Sequence, residues 1–123
     1  MATVPALETL TMNIITRQSG DTAIVDVAGD ITLYHSPELR KTLLDLIKLK
    51  HTPRVVVNMT QVPYIDSAGI ASLIEGLKAS RDAKTGFALY GLSRVAREVL
   101  ELTHLTKVFE VYDVESQALA GKL

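Results

Sequence analysis

Residues 54–70 read RVVVNMTQVPYIDSAGI, an apolar run followed by a short loop and the start of a second apolar segment. The run Arg54–Met59 is nearly continuous in apolar residues, which is typical of a strand that is covered on both faces of a sheet. Beyond the loop, apolar residues recur at helical spacing from Ile70 to Leu77, and this pattern predicts a helix that opens near Ser67. A covered strand that leads directly into an amphipathic helix indicates a domain of the α/β class.

The alternation of strands and helices continues on both sides of this stretch. Ser19-Gly20-Asp21 supplies the positive-φ residue of a tight hairpin turn between two predicted strands. The order of predicted strands and helices along the chain indicates a single α/β domain with a mixed, mostly parallel sheet of four to five strands, flanked by about four helices. The remaining predicted strands cover residues 12–17, 22–31, 86–91 and 108–112, and the remaining helices begin at residues 36, 93 and 115.

Two of the predicted helices carry clear start signals. Ser36-Pro37-Glu38 places a serine N-cap, a proline at the first helical position and an acid in the first turn. Ser93 is the predicted N-cap of the third helix. We expect the buried face of the first helix to contain Leu39, Leu43, Leu46 and Ile47, and that of the third helix to contain Val95, Val99, Leu100 and Leu102.

The length and composition restrict the chain to a small set of protein classes. A chain of 123 residues with 47% hydrophobic and 22% charged side chains accommodates one globular domain. Its net charge of −1 gives no reason to expect non-specific attraction to nucleic acid or anionic lipid, and the absence of cysteine excludes disulfides. Residues 1–11 are predicted to be a lead-in to a domain over residues 12–123. With no signal peptide or membrane-spanning segment evident, we expect a cytoplasmic protein.

The passage from strand to helix at residues 58–69 is the strongest candidate for a functional site. Sites in open α/β sheets gather where the carboxyl end of a strand leads into a helix, and here this position holds Asp66 and Ser67. The simplest interpretation is helix capping, because Asp and Ser oxygens accept hydrogen bonds from the free amides of a first turn. A binding or modification site at the same residues is the other interpretation.

The sequence offers little support for an enzyme. The three histidines, His35, His51 and His104, stand alone on different predicted elements, whereas a metal site needs three or four converging ligands. A nucleophilic serine needs a base beside it and, in hydrolases, a glycine-flanked turn, and the sequence around Ser67 shows neither. We therefore expect a non-enzymatic protein with no metal and no cofactor, and a small enzyme using Asp66 and Ser67 is the weakest alternative.

The heptapeptide Tyr64-Ile65-Asp66-Ser67-Ala68-Gly69-Ile70 resembles a family signature. It follows a strand that ends Val57-Asn58-Met59-Thr60. Two earlier pieces, Gly29-Asp30-Ile31 and Ser36-Pro37-Glu38-Leu39, stand at matching spacings. From about residue 12 to its end, the chain resembles the anti-sigma factor antagonists of the STAS domain family, and the resemblance implies a STAS-like fold.

The resemblance also implies a partner and a switch. Proteins of this kind bind an anti-sigma factor that is also a serine kinase with the ATPase fold of histidine kinases, and this binding frees the sigma factor for transcription. Phosphorylation of the serine that matches Ser67 ends the complex, and a PP2C-type phosphatase restores it. For such a switch we expect a monomer or a weak dimer, with no nucleic acid partner and no insertion into a membrane.

Roles for particular residues follow from the same resemblance. Ser67 is the expected phosphorylation site, and Asp66 is the acid beside the phosphoserine. Asn58 stands where the family often has an aspartate, and Thr32 stands where many kinase-regulated members carry one. The expected partner-binding residues are Thr32, Asn58, Tyr64, Asp66, Ser67, Ala68, Gly69 and Ile70, with Ala71 and the turn over residues 32–36 as further docking candidates.

A second hypothesis keeps the fold and changes the role. In this hypothesis the domain is a structural subunit of a larger assembly, such as a stressosome-like scaffold or the soluble STAS subunit of a lipid transporter. A scaffold is expected to elute from a gel-filtration column as a large complex, and a switch as a monomer or dimer. Thr60 and Ser72 are alternative acceptors of a phosphate.

Overall fold

The computed structural model describes residues 12–121, so the predicted lead-in over residues 1–11 lies outside the described residues, as do residues 122–123. Within this range, strands and helices alternate in the predicted order, and none of the helices has the length and apolar character that a bilayer crossing requires. The strands are β1 (Asn13–Ser19), β2 (Thr22–Ala28), β3 (Arg54–Gln61), β4 (Gly86–Tyr90) and β5 (Glu110–Tyr112). The helices are α1 (Ser36–Leu44), which continues into a π-helical turn (Asp45–Leu49), α2 (Ser67–Ala83), α3 (Arg94–Leu102) and α4 (Glu115–Ala120).

The strands form one five-stranded sheet in the order β1-β2-β3-β4-β5. β1 runs antiparallel to β2, and the other neighbouring pairs are parallel, so the predicted mixed sheet is confirmed. Ser19 pairs with Thr22 across the hairpin, and Gly20 has a φ of +59°, the left-handed conformation that this turn requires. Because β2, β3 and β4 are parallel, their carboxyl ends meet at one edge of the sheet, from which the chain enters α1, α2 and α3.

β3 is buried on both faces of the sheet. Val55 and Val57 belong to the main core beneath α1 and α2, whereas Val56 packs with Tyr90 and with Ala118 of α4. All three valines are 0% exposed. Burial of a side chain of this size contributes about 1.5–3 kcal/mol to folding. The cover on both faces is the physical reason that this strand appears in the sequence as an unbroken apolar run.

The start of α1 differs from the prediction. Ser36 is the first residue of the helix and His35 precedes it, so the predicted serine N-cap is wrong. The cause is a tight turn before the helix, in which the amides of His35 and Ser36 both donate to the carbonyl oxygen of Thr32, at 3.0 and 2.7 Å. This turn leaves Ser36 buried against α2, where its carbonyl oxygen accepts a hydrogen bond from Ser72 Oγ at 3.0 Å.

The predicted start and buried face of α3 have different outcomes. The N-cap is confirmed, because Ser93 Oγ accepts a hydrogen bond from the Ala96 amide at 3.0 Å. The apolar face is only partly right: Leu100 is buried, but Val95 is 43% and Leu102 81% exposed. α3 meets the core along a narrow stripe, so it buries only residues one turn apart, Ala96 and Leu100. The face predicted for the first helix is confirmed by the buried side chains of Leu39, Leu43, Leu46 and Ile47.

Candidate functional site

Asp66 is the N-cap of α2 and joins two segments of the chain. Its Oδ1 atom accepts a hydrogen bond from the backbone amide of Gly69 at 2.9 Å, the usual capping contact. Its Oδ2 atom accepts a hydrogen bond from the amide of Leu33 at 2.9 Å, in the loop that follows β2. The capping interpretation is therefore confirmed for Asp66, and the same carboxylate also anchors the loop over residues 31–34.

The backbone holds this loop against the start of α2. Ile31 and Ile65 form an isolated parallel bridge. The Ile31 amide donates to the Tyr64 carbonyl oxygen at 3.0 Å, and the Asp66 amide donates to the Ile31 carbonyl oxygen at 3.1 Å. Gly69 permits this approach, since a Cβ atom there would lie only 2.5 Å from the Ile31 carbonyl oxygen. Glycine is thus required at position 69 by packing.

Ser67 is the first residue of α2, as predicted, and it is exposed. Its hydroxyl has no hydrogen-bond partner among residues 12–121. The amides of Ser67 and Ala68 belong to the first helical turn and also have no acceptor within that range. Capping is therefore the role of Asp66, and the neighbouring serine places an unengaged hydroxyl at the positive end of a helix of 17 residues.

Large apolar side chains are exposed in the two segments that adjoin Asp66 and Ser67. Leu33 is 66%, Tyr34 86% and Tyr64 44% exposed. We refer to Leu33, Tyr34, Tyr64 and Ser67 as the serine surface. Exposed apolar side chains that cluster in this way are typical of a protein-binding surface. Beside them is a groove of about 450 Å³, lined by Asp30, Thr32, Tyr34, His35 and Asp66.

The other residues predicted to bind a partner next to the serine differ in accessibility. Ala68 is half-buried and Ala71 exposed, and both line a groove of about 220 Å³ between α1 and α2. Gly69 and Ile70 are buried, so they support the site from the interior and we no longer expect them to touch a partner. Ser72 is also buried, with its hydroxyl donating to the Ser36 carbonyl oxygen, and is not an accessible acceptor of a phosphate.

Asn58 lies in a different network. Its Nδ2 group donates to Asp26 Oδ1 at 2.8 Å, and its Oδ1 atom accepts from the Thr60 amide at 3.0 Å and from Thr60 Oγ1 at 2.7 Å. Both ends of the side-chain amide are therefore engaged within the chain, and the half-buried Asn58 belongs to a network separate from the contacts of Asp66, so its contact with a partner stays a prediction. Asparagine suits this position because it can donate to Asp26, whereas an aspartate would place two carboxylates side by side.

The network continues towards α4. Arg17 donates to both Asp26 and Glu115, the latter at 2.7 Å, and these contacts lower the pKa of each carboxyl group. Tyr90 donates to Glu115 Oε1 at 2.8 Å, and burial, followed by this hydrogen bond, raises the pKa of Tyr90 to about 12. These contacts tie α4 to β1, β2 and β4 and serve a structural role away from the serine surface.

The sequence did not reveal the hydrogen bond between Leu33 and Asp66 or the place of Asp30 and His35 in the groove. The only available signal was the pair Leu33-Tyr34 directly after a predicted strand. An apolar pair at that point is compatible with burial and with exposure alike. The exposure of both side chains is known only from the tertiary structure, in which Asp66 accepts a hydrogen bond from the Leu33 amide and holds this loop at the surface.

Comparison with known proteins places this chain in a family. The family model of the STAS domain matches residues 13–118, and the chain belongs to the STAS domain family. Its relatives in sequence include the anti-sigma-B factor antagonist of Listeria monocytogenes, which is 30% identical over 99 residues. That alignment covers 79% of this chain and 86% of the relative.

Solved structures agree on the fold. A putative anti-sigma factor antagonist from Thermotoga maritima superposes with a TM-score of 0.82 at 21% identity, over 87% of this chain and 92% of that one. The unphosphorylated form of the anti-sigma factor antagonist SpoIIAA superposes with a TM-score of 0.75 at 14% identity, over 87% and 93% of the two chains. The STAS-like α/β fold expected from the sequence is confirmed.

Proposed function

We propose that the chain is an anti-sigma factor antagonist that binds an anti-sigma factor through the serine surface and is released when Ser67 is phosphorylated. The observation that supports this proposal most directly is the exposed hydroxyl of Ser67, which has no partner among residues 12–121. The neighbouring Asp66 holds the loop that carries exposed Leu33 and Tyr34. The relative named as an anti-sigma-B factor antagonist supports the class of partner.

The start of α2 can accept a phosphate without refolding. A phosphoserine carries about −1.5 to −2 charges and three acceptor oxygens. At Ser67 these oxygens would lie near the first-turn amides and the positive end of the helix dipole, both of which favour an anion. Asp66 opposes the phosphate as a like charge, but its carboxylate already accepts hydrogen bonds from two amides. We therefore expect the phosphorylated domain to keep its fold.

The partner, by contrast, would meet the new charge directly. One pair of unit charges about 4 Å apart interacts by roughly 4 kcal/mol at an effective dielectric constant of 20. An unfavourable pair of this size corresponds to about a thousandfold in affinity. The apolar side chains of Leu33, Tyr34 and Tyr64 would also have to pack against a partner beside a hydrated phosphate. The switch is therefore local, electrostatic and steric.

In this proposal the anti-sigma factor is itself the kinase, with the ATPase fold of histidine kinases, and a PP2C-type phosphatase removes the phosphate. Both enzymes need an accessible serine at the edge of the domain, which Ser67 provides. This chain has threonine at position 32, where many kinase-regulated members of the family carry an aspartate. The carboxylate residues that line the groove are therefore Asp30 and Asp66.

The test is phosphorylation in vitro followed by assignment of the modified residue. The purified chain is incubated with ATP and the anti-sigma factor kinase encoded nearest to it. The tryptic peptide over residues 55–78 contains Thr60, Ser67 and Ser72, so fragmentation of this peptide is needed to place the phosphate. We expect one phosphate on Ser67 and loss of the complex on gel filtration.

Two variants control this experiment. Ser67→Ala should take up no phosphate and stay in the complex when ATP is present. Thr60→Ala should behave as the native chain does. A phosphate on any other residue, or a Ser67→Ala complex that ATP still dissociates, would refute the proposal.

A further inference from the structure

A second cavity lies at the far end of α2 from Ser67. It has a volume of about 510 Å³ and is bounded by the last turns of α2, the start of β4 and the segment that leads into β5. Arg81, on its rim, and Ser67 are separated by about 21 Å along the helix axis, given a rise of about 1.5 Å per residue. The cavity is therefore distinct from the serine surface, although one continuous helix joins the two.

The floor of this cavity is apolar. Leu77, Phe87 and Phe109 line it, and the two aromatic rings lie with their centroids 6.4 Å apart at an angle of 43°. Val108, which is 40% exposed, adds an apolar wall. Six of the twelve lining residues are polar or charged, so the lining is mixed. Its volume falls within the range of about 300–1,000 Å³ that is typical of sites for small molecules.

Two cations stand at the rim. Arg81 and Lys107 both line the cavity and are exposed. Neither has a carboxylate partner among residues 12–121. Arg54, which lies nearby, is by contrast paired with Glu110 at 2.6 Å. The rim thus combines two uncompensated positive charges with an apolar floor.

The negative groups near the cavity are already engaged. Glu110 lines it, but its carboxylate accepts from Arg54 at 2.6 Å and from the Tyr112 hydroxyl at 2.7 Å. At the carboxyl end of α2, the Ser80 carbonyl oxygen accepts from the Thr85 amide at 2.8 Å. The charge of Glu110 is therefore balanced by Arg54, and the Ser80 carbonyl oxygen already has a donor. Arg81 and Lys107 are left as the unbalanced charges among the residues that line the cavity.

We propose that this cavity binds a small amphipathic anion, with an aromatic or aliphatic body against the exposed side chain of Val108 and a single acidic group between Arg81 and Lys107. Hydrogen bonds between ionised partners are stronger than those between neutral ones, so the acidic group would determine affinity and orientation. The body buries apolar area mainly against Val108, which is 40% exposed, because Phe87 and Phe109 beneath it are only 3% and 4% exposed. A simple inorganic anion cannot bury apolar area in this way.

Two matched fluorescent probes test the proposal. 8-Anilinonaphthalene-1-sulfonate carries one anionic group on an aromatic body, and N-phenyl-1-naphthylamine is the same body without that group. In titrations of the full chain, we expect saturable binding of one sulfonate probe per chain and at least tenfold weaker binding of the neutral probe. Amide shift changes in NMR spectra should cluster over residues 80–87 and 106–111.

Two double variants test whether Arg81 and Lys107 are the cations that bind the acidic group. Arg81→Ala/Lys107→Ala should weaken binding of the sulfonate at least tenfold and bring it close to that of the neutral probe. Lys48→Ala/Lys78→Ala removes the same charge from other exposed positions and should leave binding unchanged. Equal binding of the two probes, an equal loss in both double variants, or shift changes centred on residues 30–35 would overturn the proposal. All four substituted side chains are exposed, and matching melting temperatures verify that the variants fold.

Discussion

Asp66 accepts a hydrogen bond from the backbone amide of Leu33 at 2.9 Å, although the two residues lie in different loops of the chain. The same carboxylate caps α2 through the amide of Gly69. One side chain therefore controls both the start of the helix that carries Ser67 and the position of the exposed loop beside it. The serine and its apolar neighbours form a single surface because of this contact.

Substitutions of Asp66 should distinguish its two hydrogen bonds, to the amides of Leu33 and Gly69. Asp66→Ala removes both acceptors and should lower the free energy of unfolding by about 0.5–2 kcal/mol, the usual cost of a lost N-cap. Asp66→Asn keeps one acceptor oxygen for Gly69 but offers an NH₂ group towards Leu33. Amide hydrogen exchange should then be faster at Leu33 in both variants and at Gly69 only in the alanine variant. Ser93→Ala is the matched control, because it removes another N-cap and should leave exchange at Leu33 unchanged.

A negative charge at Ser67 should abolish binding without unfolding the domain. Ser67→Asp introduces one charge where the partner is proposed to dock, and we expect the affinity for the anti-sigma factor to fall at least about a hundredfold, within the range set by a single charge pair. The melting temperature should stay near the native value, because an acid at the start of a helix is favourable. Calorimetric titration measures the first effect. Ser116→Asp, at an exposed position of α4, should bind as the native chain does, and equal affinities for all three proteins would contradict the proposal.

The apolar part of the serine surface should contribute most of the binding energy. Tyr34→Ala truncates a side chain that is almost fully exposed, so stability should not change, but the affinity for the anti-sigma factor should fall by about 2 kcal/mol or more if Tyr34 is an interface anchor. Leu102→Ala removes a similarly exposed side chain on α3 and is the control. If both variants bind equally well, the surface that docks lies elsewhere.

Gly69→Ala should disturb the site from within. Its Cβ atom would meet the Ile31 carbonyl oxygen at 2.5 Å, and overpacking of this kind costs about 1–3 kcal/mol. NMR shift changes should therefore spread through residues 31–34. Gly20→Ala is the contrast: its Cβ atom has no neighbour within 4 Å, but a φ of +59° costs about 1–2 kcal/mol. Its shift changes should remain in the hairpin turn.

The ion-pair network around Arg17 should make stability depend on pH. Arg17 lowers the pKa of Asp26 and Glu115 in the folded state. A carboxyl group with a lowered folded pKa stabilises the protein above its unfolded value of about 4, and this stabilisation is lost as the pH falls through the lower folded value. Urea unfolding at pH 7, 5, 4 and 3 should show the loss below about pH 4. Arg17→Met should flatten this dependence, whereas Arg40→Met, at another exposed arginine, should preserve it.

The order of elements and the class of the sheet follow from local patterns in the sequence. The apolar run of β3, the glycine of the hairpin and the helical spacing after Ser67 each depend on neighbouring residues, so they can be recognised without coordinates. The ends of elements depend in addition on contacts outside the local pattern, as the displaced start of α1 at Ser36 illustrates. That helix start depends on the turn from Thr32, whose hydrogen bonds are not encoded by a capping pattern.

The sequence by itself determined the α/β class, with a mixed, mostly parallel sheet of four to five strands, and the pair Asp66 and Ser67, because periodicity and a contiguous motif are local properties. Only the tertiary structure decided that Asp66 caps the helix and leaves Ser67 accessible, that Leu33 and Tyr34 are exposed beside it, and that Asn58 belongs to a separate network. These outcomes depend on which distant backbone and side-chain groups meet, and a hydrogen bond between residues far apart in the chain leaves no local pattern. Local sequence patterns specify the strands and helices. Tertiary packing decides which polar groups form hydrogen bonds within the domain and which remain free at its surface.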